Sequence, residues 1–126
     1  MLQLFCPMRG SHAIFDFYKA DSEKIAKESE LKKVLEKVFE DFGYEIIKTL
    51  YHQFEPEGVT ASIISSKCQL SIHTWPEHGS FTVDFYSAQE KLDMLKLCER
   101  IKKEFLADEY DMRIIRTDDE RMVKSQ

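Results

Sequence analysis

From Gly10 to Ala20 the chain alternates, with Ala13, Phe15 and Phe17 on one side and His12, Ile14, Asp16 and Tyr18 on the other. A period of two predicts a first strand. The spacing then changes. Leu31, Val34, Leu35, Val38, Phe39 and Phe42 follow the i, i+3, i+4, i+7 rhythm of a helix buried along one face, and Gly43 sits where a left-handed cap would end it. Charged residues between Glu23 and Glu40 fill the opposite face and read as solvated surface. Strand alternation returns from Tyr44 to Phe54, with Ile46, Leu50 and Phe54 expected on one side, and Pro56-Glu57-Gly58 makes a turn.

Three short strands are expected next. Val59–Ser65 and Gln69–Thr74 are separated by Ser66-Lys67-Cys68, and Phe81–Tyr86 follows the turn Pro76-Glu77-His78-Gly79. Ser87 is the expected N-cap of a second helix from about Gln89 to Leu106, with Leu95, Cys98, Ile101 and Phe105 inward. Asp111–Arg116 closes the pattern as a last strand. The order β-α-β-β-β-β-α-β predicts an α/β fold, an antiparallel-rich sheet with both helices on one face. Tyr18, Leu50, Tyr51, Ile63, Ile64, Phe81 and Phe85 are more apolar strand surface than two helices are expected to cover, which points to a dimer or another partner layer on the second face.

Composition narrows the class. With 126 residues, 43% of them apolar and 12% aromatic, the chain can bury a core, and one domain spanning 1–126 with a charged tail from about 118 is expected. A net charge of −5 argues against a nucleic-acid partner, because phosphate neutralisation needs a basic surplus. No apolar run has the roughly 20 residues needed to span a bilayer, so no membrane partner is expected. Met1–Pro7 lacks the basic flank and apolar core of a secretion signal, and the expected location is cytoplasmic. Three cysteines without CxxC spacing argue against a disulfide framework and against a metal site.

Chemistry concentrates between Cys68 and Gly79, where a thiol, an imidazole, the only Trp and a carboxylate fall within a strand and its exit turn. Singly, a strand His reads as a hydrogen-bonded structural residue and an intracellular Cys as a small buried hydrophobe. Together, Leu70-Ser-Ile-His-Thr-Trp-Pro-Glu77 resembles the signature of the prokaryotic S-adenosylmethionine decarboxylase proenzymes, which use a self-derived pyruvoyl group and feed spermidine synthesis. His12–Tyr18 is similar to that family's first strand, His52–Thr60 to the stretch before its cleavage site, and Val83–Tyr86 to the strand after the signature. The resemblance covers about residues 12 to 117. It implies a two-layer α/β sandwich whose sheets face each other across a homodimer, with the active sites at that interface.

The resemblance also assigns roles. In the family a Ser attacks the carbonyl of the preceding Glu, and the resulting ester eliminates to a pyruvoyl group. Here Cys68 stands at the Ser position, Lys67 at the Glu position and Gln69 where His is usual. His73 and Thr60 match the imidazole and hydroxyl that assist processing. Ala88 stands at the proton-donor cysteine, and a methyl group is no acid. Phe54, Trp75 and Glu77 match the residues that sandwich adenine and hold ribose, a reading the motif favours over core or interface roles for Phe54 and Trp75 and a turn role for Glu77.

Three functions follow as expectations. The first is a family member that keeps the pocket for S-adenosylmethionine or a related nucleoside but is impaired in self-processing and catalysis, a pseudoenzyme or a regulator that pairs with an active paralogue. The second is an active pyruvoyl-dependent decarboxylase of S-adenosylmethionine or another amino acid, cleaved at Lys67–Cys68, with Ser87, Tyr86 or His78 replacing the lost donor; only this reading carries a cofactor. The third is a thiol protein using Cys68, disfavoured because no second Cys is spaced to resolve it.

Overall fold

In β1 (Ser11–Tyr18) the odd positions Ser11, Ala13, Phe15 and Phe17 are buried and the even positions are half-buried or exposed, as the alternation predicts. The computed structural model describes residues 10–87 and 94–116. The remaining strands are β2 (Ile46–Gln53), β3 (Val59–Ser65), β4 (Cys68–Trp75), β5 (Ser80–Ser87) and β6 (Glu109–Arg116), and the helices are α1 (Glu28–Phe42) and α2 (Met94–Glu104). The strands form one sheet in the order β2-β3-β4-β5-β1-β6, with every neighbouring pair antiparallel. The expected antiparallel sheet with two helices is therefore present, and the first strand sits inside it, between β5 and β6.

One sheet face and the two helices share the core. Leu31, Leu35, Val38 and Phe39 of α1 and Met94, Leu97, Cys98 and Ile101 of α2 are buried against it. Phe17 stacks on Phe81 at 4.5 Å and Phe81 meets Phe105 edge-on at 5.2 Å. Each such side chain contributes about 1.5–3 kcal/mol by leaving water. Gly43 ends α1 at φ 76°, its N–H bonding Glu40 O while Tyr44 N–H returns to Phe39 O, a paired closure that only a left-handed residue permits. Arg100 of α2 reaches Asp41 of α1 at 2.8 Å and Glu104 at 2.7 Å, joining the helices.

Several expected positions differ. The β2–β3 register shifts between Ile46 and Lys48, so Ile46 packs on the core while Leu50 and Phe54 are exposed; a bulge adds one residue and reverses the alternation. Leu95 is exposed and Leu97 takes the inward place, because the helix repeat carries 94, 97, 98 and 101 to one side. Ile63, Phe81 and Phe85 are buried beneath the helices, not on the second face. That face is nonetheless apolar: Leu50 is 72% and Ile115 57% exposed, and Tyr18, Ile64, Trp75 and Tyr86 are also exposed. Tyr51 is half-buried with its hydroxyl unpartnered among the described residues, and burial pushes it up to about 12. Ser87, the expected cap of α2, ends β5, while the expected first turn of that helix and the charged tail lie outside the described residues.

Candidate functional site

The end of β4 is pinned by hydroxyls. Thr74 Oγ1 accepts from Val59 N–H at 2.9 Å and donates to Ile25 O at 2.8 Å, while Ser22 Oγ donates to Pro76 O at 2.9 Å. With Thr74 turned to the core, strand geometry sends Trp75 to the open face. Pro76 then starts a short 3-10 turn (Pro76–His78) that presents Glu77 to solvent and closes on Gly79 at φ 63°. A β-carbon on Gly79 would approach Ala20 O at 3.3 Å, so the turn needs glycine for its conformation and its contact.

The loop after β2 is held by Gln53. Its Nε2 shares its hydrogens among the carbonyls of Ala26, Phe54 and Gly58 at 3.0 to 3.1 Å, and its Oε1 accepts Glu28 N–H at 2.7 Å. Phe54 is thereby fixed beside the end of β4, with the His52 ring edge-on at 4.5 Å. Gln53 was not legible as a site residue: its role depends on a loop closing over the start of α1.

These supports build a cleft of about 260 Å³ lined by Phe54, Thr60, His73, Trp75 and Glu77, together with Glu57 and the Gly58 and Thr74 backbone region. All three expected binding residues and both expected processing helpers are therefore on one cleft. Thr60 and His73 are direct cross-strand partners, with Thr60 Oγ1 3.1 Å from His73 Nδ1. The His73 and Trp75 rings lie 6.4 Å apart and tilted by 32°. Two exposed aromatic faces beside carboxylates suit a flat, hydroxyl-bearing ligand, the aromatics by stacking and the carboxylates by accepting hydrogen bonds.

Cys68 is elsewhere. It begins β4, is 7% exposed and turns toward the helix side, whereas His73 points to the open face. They are five strand positions apart, about 17 Å of rise. Within one chain, Thr60 and His73 therefore do not reach the Lys67–Cys68 peptide. Burial pushes the Cys68 thiol above its ordinary range, partly offset by its Ser65 hydrogen bond and the Lys67 charge. The described cysteines, Cys68 and Cys98, are both free and buried.

The weaker candidates scatter. Ala88 lies outside the described residues. His78 is exposed in the 3-10 turn, at the cleft end of β4. Ser87 donates to Lys67 O at 3.2 Å. Tyr86 lines a second hollow of about 320 Å³ on the open face with His12, Gln69, Ser71 and Asp84, where His12 Nε2 hydrogen-bonds Asp84. That pair was missed because it depends on β1 lying beside β5. Among the described residues no group of three or more His, Cys, Asp or Glu side chains is placed to hold a metal ion, and no helix is long and apolar enough to cross a membrane.

Known proteins match both sequence and fold. The family model described as S-adenosylmethionine decarboxylase matches residues 11–118. The S-adenosylmethionine decarboxylase proenzyme of Prochlorococcus marinus is 30% identical over 106 residues, covering 84% of this chain and 85% of that one. The Thermotoga petrophila proenzyme is 31% identical over 94 residues, 75% and 72% of the two chains. The crystal structure of the Aquifex aeolicus adenosylmethionine decarboxylase superposes with a TM-score of 0.77 at 29% identity, covering 84% of this chain and 88% of that one. The Trypanosoma brucei enzyme monomer shares the fold at a TM-score of 0.60 and 18% identity, over 82% and 45%. With the family model matching nearly the whole described sheet and the fold shared, this chain belongs to the S-adenosylmethionine decarboxylase family.

Proposed function

We propose that this chain binds S-adenosylmethionine or a closely related nucleoside in the cleft at the end of β4, and that it is impaired in self-processing. The observation that carries the reading is the convergence of Phe54, Trp75 and Glu77 on one cleft beside the Thr60–His73 pair. Adenine stacks between the two aromatic rings, and the Glu77 carboxylate accepts from the ribose hydroxyls. A cleft of about 260 Å³ is just below the range of roughly 300–1,000 Å³ typical of enclosed ligand pockets, which suits a nucleoside left uncovered on one side.

A second copy of the chain supplies that cover. The open sheet face exposes Tyr18, Leu50, Ile64, Tyr86 and Ile115 around the polar His12–Asp84 and Thr60–His73 pairs, and an apolar face of that kind favours a partner layer. In such a dimer the cleft lies at the interface. A heterodimer with a processed paralogue would use the same face. The polyamine connection of the family comes to this chain through such binding or pairing.

A pyruvoyl group, where the family forms one, supplies an electron sink for loss of carbon dioxide. The residues here do not suit it. Position 68 offers sulfur in place of oxygen, position 67 a lysine in place of an acid, and position 88 a methyl group in place of a thiol. The cleft residues bind and orient, and no group at position 88 returns a proton. Calorimetric titration with S-adenosylmethionine, alongside intact-mass measurement, tests the reading. Saturable binding by an uncleaved chain supports it; fragments 1–67 and 68–126 with release of carbon dioxide would overturn the impaired-processing half.

A further inference from the structure

Both walls of the cleft are tied to one short segment between β1 and α1. On the Trp75 side, Ala20 N–H donates to Gly79 O at 2.8 Å, Ser22 Oγ to Pro76 O at 2.9 Å and Thr74 Oγ1 to Ile25 O at 2.8 Å. On the Phe54 side, Ala26 O accepts from Gly58 N–H and from Gln53 Nε2, each at 3.0 Å. Glu28 N–H donates to Gln53 Oε1 at 2.7 Å, and Lys27 Nζ reaches Pro56 O at 2.9 Å. Consecutive carbonyls of the Ile25–Ala26 dipeptide therefore hold opposite walls. The dipeptide is seated in the core, with Ile25 fully buried and Ala26 8% exposed. Gln53 closes the Phe54 wall: its amide also reaches Phe54 O and Gly58 O, while Phe54 N–H returns to Gly58 O at 2.8 Å.

We infer that Gln53 is a positioning residue that, braced on the Ile25–Ala26 dipeptide, holds the Phe54 wall at a fixed gap from the Trp75 wall before any ligand arrives. None of Ile25, Ala26 and Gln53 lines the cleft, so its affinity is set in part by residues that touch no ligand. The inference rests on the nucleoside reading above for the identity of the ligand and deepens it by naming what fixes the slot. A flat base stacks well only where the two rings already have the right separation and tilt. A ring on a free loop must be ordered on binding, and that entropy is subtracted from the affinity. Phe54 is 48% and Trp75 44% exposed, so packing alone holds neither ring. Trp75 is placed by its strand, whereas Phe54 follows the end of β2 and takes its place from the Gln53 amide and the Ala26 carbonyl. That amide has no spare donor, because Nε2 shares two hydrogens among three carbonyls. A side chain without the donor removes all of these bonds together.

Gln53→Met tests this on the full-length chain, since methionine keeps the length and packing of the side chain and removes its hydrogen bonds. Without ligand, backbone hydrogen exchange read by NMR should quicken roughly tenfold at Phe54 and Gly58 and stay unchanged within β4. With S-adenosylmethionine, quenching of the emission of Trp75, the only tryptophan, reads the affinity, which should fall roughly tenfold. Gln53→Glu, which keeps the bond to Glu28 N–H and loses the donors, is the second variant and should show the same two changes. A double-mutant cycle separates positioning from general stability. In a Phe54→Ala background the ring to be placed is gone, so Gln53→Met should change affinity by less than about twofold. Unchanged exchange or unchanged affinity in both Gln53 variants overturns the inference, as does a full tenfold loss repeated in the Phe54→Ala background. A native chain that binds no S-adenosylmethionine, while exchange quickens as stated, would sink the nucleoside reading and leave the loop held by Gln53 standing.

Discussion

The two ends of β4 are built to opposite plans. At its exit, Thr74 is locked inward and Trp75 and Glu77 are presented outward, beside Phe54, on a cleft open to solvent or a partner. At its entry, Cys68 turns toward the helices and is closed over by Ser65 and Ser87. The odd and even faces of one strand thus separate the aromatic cleft from the buried thiol, and a single chain does not bring them together. A strand that is wet and aromatic at one end and dry and hydroxyl-lined at the other lets substitutions at one end leave the other end's surroundings unchanged.

The contrast between faces breaks most visibly in stability. Leu70→Ala, on the closed face, should lose about 2–5 kcal/mol of unfolding free energy by leaving a cavity. Ser71→Ala, next to it on the open face, should stay within about 0.5 kcal/mol; chemical denaturation reads both. A similar loss in the two variants would mean the faces are not distinct. Next in size is the cleft. Trp75→Ala and Phe54→Ala should each weaken nucleoside binding by about 1–3 kcal/mol, the worth of stacking a base on an aromatic ring, with the denaturation midpoint little changed. Unaltered calorimetric affinity in both would assign these rings to an interface instead.

A smaller effect sharpens the assignment of Glu77. Glu77→Gln should cost roughly 1 kcal/mol of affinity for S-adenosylmethionine, the scale of one weakened hydrogen bond, and nothing for a ligand lacking the ribose hydroxyls. Equal losses for both ligands would show a general electrostatic role. The last effect is a slope. Burial pushes the Cys98 thiol from 9.0 up to about 12, with Glu99 adding to the rise, and it pushes Cys68 up as well. A folded-state pKa above the unfolded one gives stability that is complete below about pH 9 and lost as pH climbs toward 12. Denaturation midpoints should therefore fall across that window, and alkylation of both thiols should be slow at neutral pH until urea is added. Rapid labelling of Cys68 in the folded chain would contradict a closed entry end.

Local patterns carried the sequence reading as far as local physics reaches. The alternation of Ala13, Phe15 and Phe17 and the repeat from Leu31 to Phe42 fixed β1 and α1, because each element buries one face by its own period. The same logic misplaced Ile46 relative to Leu50, since a bulge between Ile46 and Lys48 is set by pairing with β3 and leaves no mark in β2 alone. Leu95 and Leu97 were confused because the true start of the helical face is decided by packing. His73, Trp75 and Glu77 were legible through the octapeptide from Leu70 to Glu77, and Phe54 and Thr60 through the stretch from His52 to Thr60. Gln53 and the His12–Asp84 pair were not, because each acts through a neighbour brought close only by the fold, and Ser65 gave no signal although its bonds to Lys67 and Cys68 are local to the β3–β4 turn. The position of Ser87 before a helical pattern marks it as a cap, whereas in the fold its hydroxyl meets the Lys67 carbonyl.

The central claim, a retained nucleoside cleft on an unprocessed chain, is tested most directly by native mass spectrometry of the full-length protein incubated with S-adenosylmethionine. A dimer of uncleaved 126-residue chains carrying the ligand is expected, with the ligand lost in Trp75→Ala. Fragments 1–67 and 68–126, or an uncleaved chain that takes up no ligand at any concentration, would contradict it.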